Sequence, residues 1–438
     1  MSSASKQQAR TRSVTPDSEE DKAIRRKAYL WNTTGSMLSA FQSVFILVVL
    51  TRAFSLEAAG IFTLAYANAS LFLNVGRFGI RNYQASDVEP RFGFRAYALS
   101  RVITCSAMVA MGMVHLAWSS HTVGYPLHKS LVIAFMILLK TVEAVIDMFS
   151  GSYQQDGRLD LAGKQQALNV AGVIVVYTSV SVVAQDLVVG TAAALICSIA
   201  LLVATTLWYG RRYHIPILHR EAPDQSPWPL LRECIPLFLA AFLLFYVGNA
   251  PKYAIDALLD DVAQAQYGFI AMPVFVVGLL AQFVYMPLVE PLSQMWARGD
   301  RRRFLRTFFQ QVGVVAGITF VCVLGAALLG PPVLSMLYNT DLVPFRLELC
   351  VLVLGGGFLA LATLFTMGVT VVRQQRLLTP GYVVVALAAW ALASPLVRLW
   401  AIRGASLTYL ACMVALSLWT GLIFASCVRR KRATASCS

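Results

Sequence analysis

Twelve apolar blocks, each about as long as a helix must be to cross a bilayer, constrain this chain more than any other feature of it. A hydrocarbon core of about 30 Å takes about 20 helical residues. The blocks fall at 30–53, 60–80, 97–118, 130–149, 166–185, 189–209, 234–255, 265–290, 307–329, 346–371, 379–397 and 405–427, joined by short connectors. No water reaches the backbone inside lipid, so each block must satisfy its own hydrogen bonds as a helix. The runs do not alternate between polar and apolar residues, which excludes a membrane β-barrel. Composition agrees: of 438 residues 58% are hydrophobic and 13% charged, where a soluble protein has about a quarter charged. The block beginning near Leu30 is too long for a signal-peptide core and is followed by Thr51-Arg52 rather than a small-residue cleavage site, so it reads as a retained span.

The net charge of +14 would suggest nucleic acid in a soluble protein. Here the basic residues sit in clusters between apolar blocks, the pattern that orients helices and meets anionic lipid, so no nucleic-acid partner is expected. With the N-terminus inside, inner connectors collect Lys22, Arg25, Arg26 and Lys27, then Arg77, Arg81, Arg91, Arg95 and Arg101, then Arg158 and Lys164, then Arg211, Arg212, Arg220 and Arg232, then Arg298, Arg301, Arg302, Arg303 and Arg306, then Arg373 and Arg376, and finally Arg429, Arg430, Lys431 and Arg432. The outer connectors keep Arg52, Lys129, Lys252, Arg346, Arg398 and Arg403. A missed or extra span would invert everything downstream, so twelve spans with both termini cytoplasmic is the count that fits.

The chain divides into a disordered cytoplasmic tail at 1–28, an N-lobe of six spans at 29–210, a cytoplasmic linker at 211–233, a C-lobe of six spans at 234–427 and a basic cytoplasmic tail at 428–438. A weak internal echo supports two parallel halves. Span two opens with Gly60-Ile61-Phe62, and span eight with Tyr267-Gly268-Phe269.

Ionisable residues at membrane depth are costly unless they face a polar cavity or a partner. Span four carries Lys140, Glu143 and Asp147 on one face, at spacings that allow pairing. They read as a self-neutralising structural cluster or as a cavity-lining relay for a coupling ion. Span two ends with Asn74, Arg77 and Arg81, and arginine suits capture of phosphate. Span seven ends in Asn249-Ala250-Pro251-Lys252-Tyr253-Ala254-Ile255-Asp256. Its proline bends the helix, and Lys252 and Asp256 are spaced to pair. Span eight carries Gln282, Glu290 and three prolines, the composition of a movable gate, with Glu290 a further ion-coupling candidate. Gly355-Gly356-Gly357 in span ten reads as close helix packing.

Absent motifs narrow the function. There is no phosphate-binding Gly-x-x-x-x-Gly-Lys-Ser/Thr loop, no His-Glu-x-x-His and no Gly-x-Ser-x-Gly. The histidines form no ligand spacing, and the eight cysteines read as packed thiols. Neither enzyme activity, cofactor nor metal is expected. A glycan polymerase or ligase would need a long outer loop bearing Arg and His, which is missing, and scattered intramembrane charge argues against an inert scaffold.

Four stretches resemble one known family. They are Asn32-Thr33-Thr34-Gly35-Ser36, then Leu50-Thr51-Arg52 through Ala59-Gly60-Ile61-Phe62, then Asn249 through Asp256, and then Pro287 through Trp296 with Gly299-Asp300 and Phe304. From about residue 28 to 427 the chain resembles bacterial flippases of lipid-linked oligosaccharide, in the multidrug, oligosaccharidyl-lipid and polysaccharide (MOP) exporter superfamily. The resemblance implies an all-α membrane protein of twelve helices in two six-helix lobes, with spans one, two, seven and eight lining a central cavity. It implies cavity cations that hold a pyrophosphate, and so substrate-binding roles for Arg52, Arg77 and Lys252, with Asn249 and Asp256 beside them. It further implies an undecaprenyl-diphosphate-linked oligosaccharide substrate, alternating access driven by H⁺ or Na⁺, polysaccharide-assembly partners and a bacterial plasma-membrane location. The alternative within the superfamily is an ion-coupled exporter of cationic drugs, which would want acids deep in the cavity.

Overall fold

The computed structural model describes residues 19–86, 91–213, 226–372 and 374–435, and all twelve expected spans are helices. Spans one to six run Glu19–Ala53, Leu56–Arg77, Phe94–Val123, Leu127–Gln155, Leu159–Ala184 and Leu187–Tyr213. Spans seven to ten run Pro227–Leu258, Asp261–Tyr285, Arg301–Leu328 and Arg346–Val371. Spans eleven and twelve form one stretch, Thr379–Ala435, interrupted at Trp400 and Ala401, where Ala401 has φ +45°. A Cβ on Gly404 would sit 1.9 Å from the carbonyl oxygen of Leu396, so the chain doubles back there and the hairpin needs glycine.

Hydropathy alone gives fewer spans. Ten described segments are long and apolar enough to cross a membrane, and one of them, Gln375–Arg429, contains the whole hairpin of spans eleven and twelve. Span four falls outside the ten because it carries Lys129, Lys140, Glu143 and Asp147, yet it packs against spans two, three and six like any other helix of the bundle.

Local chemistry sets the helix ends. Ser55 caps span two, accepting from the Ala58 N–H, and Asp260 caps span eight, accepting from Ala263 N at 2.8 Å. Span two stops at Phe78, which takes the left-handed conformation, and Gly124 does the same after span three. Span eight breaks at Met286–Leu288, a short 3₁₀ turn containing Pro287, before a separate helix at Val289–Ala297. Short helices also follow span two at Ile80–Ser86 and span nine at Gly330–Tyr338.

The expected tails and linker differ in part. Residues 19–28, read as disordered, are helical, because Glu19-Glu20-Asp21-Lys22 followed by Ala, Ile, Arg and Lys is a strong helix-forming sequence that extends span one. Residues 1–18 lie outside the described residues. Span six continues to Tyr213 and span seven starts at Pro227, with 214–225 outside the description. Span twelve continues through the basic segment to Ala435, while Arg373 and 436–438 lie outside it.

Spans one to six pack among themselves, chiefly one on five, five on six and two on four. Spans seven to twelve do likewise, chiefly ten and seven on the eleven–twelve hairpin, with nine and eight on ten. The halves meet where span two crosses spans seven and eight and where span three crosses span seven. The two glycines of the internal echo form this crossing. A Cβ on Gly60 would fall 1.8 Å from the Asp261 carbonyl oxygen, and one on Gly268 would fall 2.8 Å from Cγ2 of Thr63. In span ten, Gly355, Gly356 and Gly357 face Tyr409, Val274 and Thr319 at contact distance, so the triple glycine is a packing device.

Candidate functional site

Between the halves lies a cavity of about 740 Å³, walled by spans one, two, seven, eight and ten and by Tyr409 and Met413 of span twelve. Its volume falls in the range that holds a drug-sized molecule, about 300–1,000 Å³. The wall is mostly apolar, from Leu47, Phe62, Leu244, Phe245 and Phe275, with polar points at Ser43, Thr63, Tyr66, Asn249, Lys252, Gln282 and Thr363. Among the described residues no carboxylate lines it.

Lys252 is the cavity's one cationic lining residue, and its ammonium has no hydrogen bond or ion pair among the described residues. Pro251 precedes it, so span seven lacks one backbone bond at this level. One turn earlier Asn249 also lines the cavity, with its amide donating to the Phe245 carbonyl at 3.0 Å and its Oδ1 left over as an acceptor. The expected Lys252–Asp256 pair does not form. Lys252 turns into the cavity, while Asp256, a turn further on, reaches across the boundary to Lys129 of span four, 3.0 Å away.

Lys129 also meets Asp261 at 2.7 Å and lies over the Tyr125 ring at 4.6 Å, and Tyr125 donates its hydroxyl to Asp256. Burial and the adjacent Asp256 carboxylate hold the Tyr125 phenol above its ordinary range, so it remains a donor. This cluster ties span four to the turn between spans seven and eight on the face opposite the chain termini. On the same face Arg52 donates to the carbonyls of Met336 and Leu337, at 3.3 and 3.4 Å. Arg52 and Asp256, expected at the substrate, therefore hold the two halves together at one end of the cavity and do not line it.

Arg77 is also elsewhere. It pairs with Glu143 at 2.7 Å, within the first half. Lys140 meets the other Glu143 oxygen at 2.6 Å, reaches Gln42 and the Tyr66 hydroxyl at 3.4 Å, and stacks over the Tyr66 ring. Asp147 sits between Arg81 at 3.2 Å and Arg101 at 3.5 Å, and Arg101 also donates to the Gly76 carbonyl, which takes a second bond from Thr104. Four cations thus share two carboxylates and bind spans two, three and four to one another. Tyr66 is the one member of this network's surroundings that also lines the central cavity. Glu290 stands apart, exposed on its short helix and accepting from Gln294 at 3.2 Å.

Sequence reasoning missed Lys129, Tyr125, Asp261 and Arg101. Lys129 lies just past the Tyr125-Pro126 turn, where it counts as a connector residue, and nothing local signals that its ammonium is buried between carboxylates of the other half. Among the described residues, no group of three or more His, Cys, Asp or Glu is arranged to hold a metal ion.

No family model and no curated protein matches the chain. Solved structures do match over nearly its full length. A multidrug resistance MATE family transporter of the MOP superfamily, in an inward-facing conformation, aligns with TM-score 0.66 and 11% identity over 90% of this chain and 96% of its own. A MATE in the bent conformation aligns with TM-score 0.58 and 12% identity over 95% of this chain and 98% of its own. The eukaryotic MATE transporter AtDTX14 aligns with TM-score 0.57 and 12% identity over 94% of this chain and 99% of its own. The likeness is one of fold: this chain has the MATE architecture. The matched structures are MATE transporters and not the oligosaccharide flippases expected from the sequence.

Proposed function

We propose that the chain is a secondary transporter that exports drug-sized amphipathic molecules bearing an anionic or strongly accepting group, by alternate opening of the central cavity to the two membrane faces. One observation carries this reading: among the described residues, the Lys252 ammonium has no partner and no carboxylate lines the largely apolar cavity of about 740 Å³ that it faces. An ion without a counter-ion at membrane depth is costly, and a ligand anion would offset that cost. The MATE fold and the size of the cavity support small-molecule transport, and one of the neighbours is a multidrug resistance transporter. The charge of the cavity points away from cationic drugs. Glu143 and Asp147 each bridge two cations, and we read them as fixed anions of the first half rather than as carriers of a coupling proton. The asymmetry of the basic residues supports termini on the cytoplasmic face.

Lys252 also favours a second reading, translocation of a lipid-linked oligosaccharide, because a diphosphate would satisfy the same ammonium. Uptake into proteoliposomes separates the two. Fluorescent anionic, neutral and cationic amphiphiles are offered in turn, with a diphosphate-linked glycolipid in parallel. Saturable transport of the anionic amphiphile, with half-saturation raised about tenfold by Lys252→Gln, is the expected result. Preference for cations, or indifference to Lys252→Gln, would sink the proposal, and transport of the glycolipid alone would select the second reading.

A further inference from the structure

A second cavity lies on the outside of the bundle, in the C-terminal half and away from the central one. It has a volume of about 470 Å³ and is walled by Leu305 and Phe309 of span nine, Phe365 of span ten, and Gly421, Leu422 and Arg429 of span twelve, among others. Spans nine and twelve both pack on span ten and leave a trough between them. Gly421 forms part of its floor: a Cβ there would only touch the Phe365 ring, at 3.5 Å, so the missing side chain opens space rather than relieving a clash.

The trough has a direction. Its wall on span twelve runs from Arg429 down to Ser417, a rise of about 18 Å at about 1.5 Å per residue. Half of a hydrocarbon core of about 30 Å is about 15 Å. The trough is therefore one leaflet deep. It is apolar along its length, and its one charged lining residue, Arg429, stands at the end nearest the chain terminus. On span nine, Arg302 and Arg306 share the face that carries Leu305 and Phe309, at positions i, i+3, i+4 and i+7, and are exposed at that same end. None of these three arginines has an ion pair among the described residues. Two other apolar cavities flank span nine, but neither has a charged residue in its wall.

We infer that this trough is a site for one anionic phospholipid of the leaflet facing the chain termini, with an acyl chain between spans nine and twelve and its phosphate among Arg302, Arg306 and Arg429. Apolar walls set depth and shape, and the unpartnered arginines supply the preference for negative headgroups. The site is independent of the transport proposal, because it shares no residue with the central cavity.

Native mass spectrometry of the detergent-purified protein, titrated with phosphatidylglycerol or phosphatidylcholine of the same chain length, tests it. The expected result is one tightly retained phosphatidylglycerol, favoured over phosphatidylcholine by on the order of tenfold. Arg306→Gln with Arg429→Gln, both on exposed side chains, should erase the preference without changing the folded charge-state distribution. Gly421→Leu, which fills the trough and leaves the arginines in place, should expel both lipids. Equal retention of the two lipids by the unaltered protein overturns the inference. So does retention that survives Gly421→Leu, or displacement of the lipid by soluble glycerol phosphate, which would show that the chain-binding wall contributes nothing.

Discussion

Lys129 and Asp256 lie 3.0 Å apart although 127 residues separate them, and this contact closes one end of the boundary between the two halves. Lys129 also holds Asp261, and its side chain is only 7% exposed. Removing one member of a buried pair leaves uncompensated charge, at a cost of about 3–5 kcal/mol. Lys129→Met leaves Asp256 and Asp261 facing each other, so it should open this face and not merely loosen it. In a background with the native cysteines replaced, Thr63→Cys, on the cavity wall, should become reactive to an impermeant thiol reagent from the face opposite the termini. Unchanged labelling would mean that the cluster is not a gate.

Lys252 should behave in the opposite way. It lines the cavity without a partner among the described residues, so Lys252→Met removes a desolvated charge and should stabilise the folded protein, by on the order of 1 kcal/mol. Transport should fall at the same time. A thermal-unfolding comparison in detergent, run beside the uptake assay, reads both effects, and a variant that is both less stable and inactive would place Lys252 in an unseen ion pair.

Glu143 and Glu290 give a matched pair of carboxylates. Glu143→Gln strands the buried Lys140, 2.6 Å away, and frees the part-exposed Arg77, 2.7 Å away, and should cost about 1–3 kcal/mol. Glu290→Gln, on an exposed side chain bonded among the described residues to Gln294, should stay within about 0.5 kcal/mol. If Glu143→Gln is tolerated and only ion coupling is lost, Glu143 carries the coupling ion after all.

The fold was legible because the membrane imposes it. Block length and the alternation of basic connectors gave all twelve helices, including span four, which hydropathy alone discards for its charge, and the eleven–twelve hairpin, which continuous helix conceals. Gly60 and Gly268 stood out in sequence as a weak echo between the halves but not as a contact, since only the crossing of spans two and eight brings them to Asp261 and Thr63. The site was half legible. Asn249 and Lys252 line the cavity, as expected of span seven. The partner of Asp256 was not legible, because an i, i+4 lysine was available in sequence while the lysine it binds comes from the other half. Arg77 was misplaced for a related reason: a phosphate-binding arginine and an arginine neutralising Glu143 look alike until span four is packed against span two.

The last prediction concerns volume rather than charge. Gly248 and Gly278 both line the central cavity, and a Cβ on either would meet nothing within 4 Å. A tryptophan at either position therefore grows into the space the substrate would use, and displaces no packed neighbour at the backbone. Gly317 of span nine is equally open but lies on the exposed side of the bundle, away from the central cavity. Gly248→Trp and Gly278→Trp should abolish uptake while shifting stability by no more than about 0.5 kcal/mol, whereas Gly317→Trp should match them in stability and transport normally. Because the three substitutions are the same chemically, a difference in uptake without a difference in melting isolates occupancy of the cavity as the cause. If Gly248→Trp and Gly278→Trp both transport at the rate of the unaltered protein, the substrate does not pass between spans seven and eight, and the central cavity is not its route.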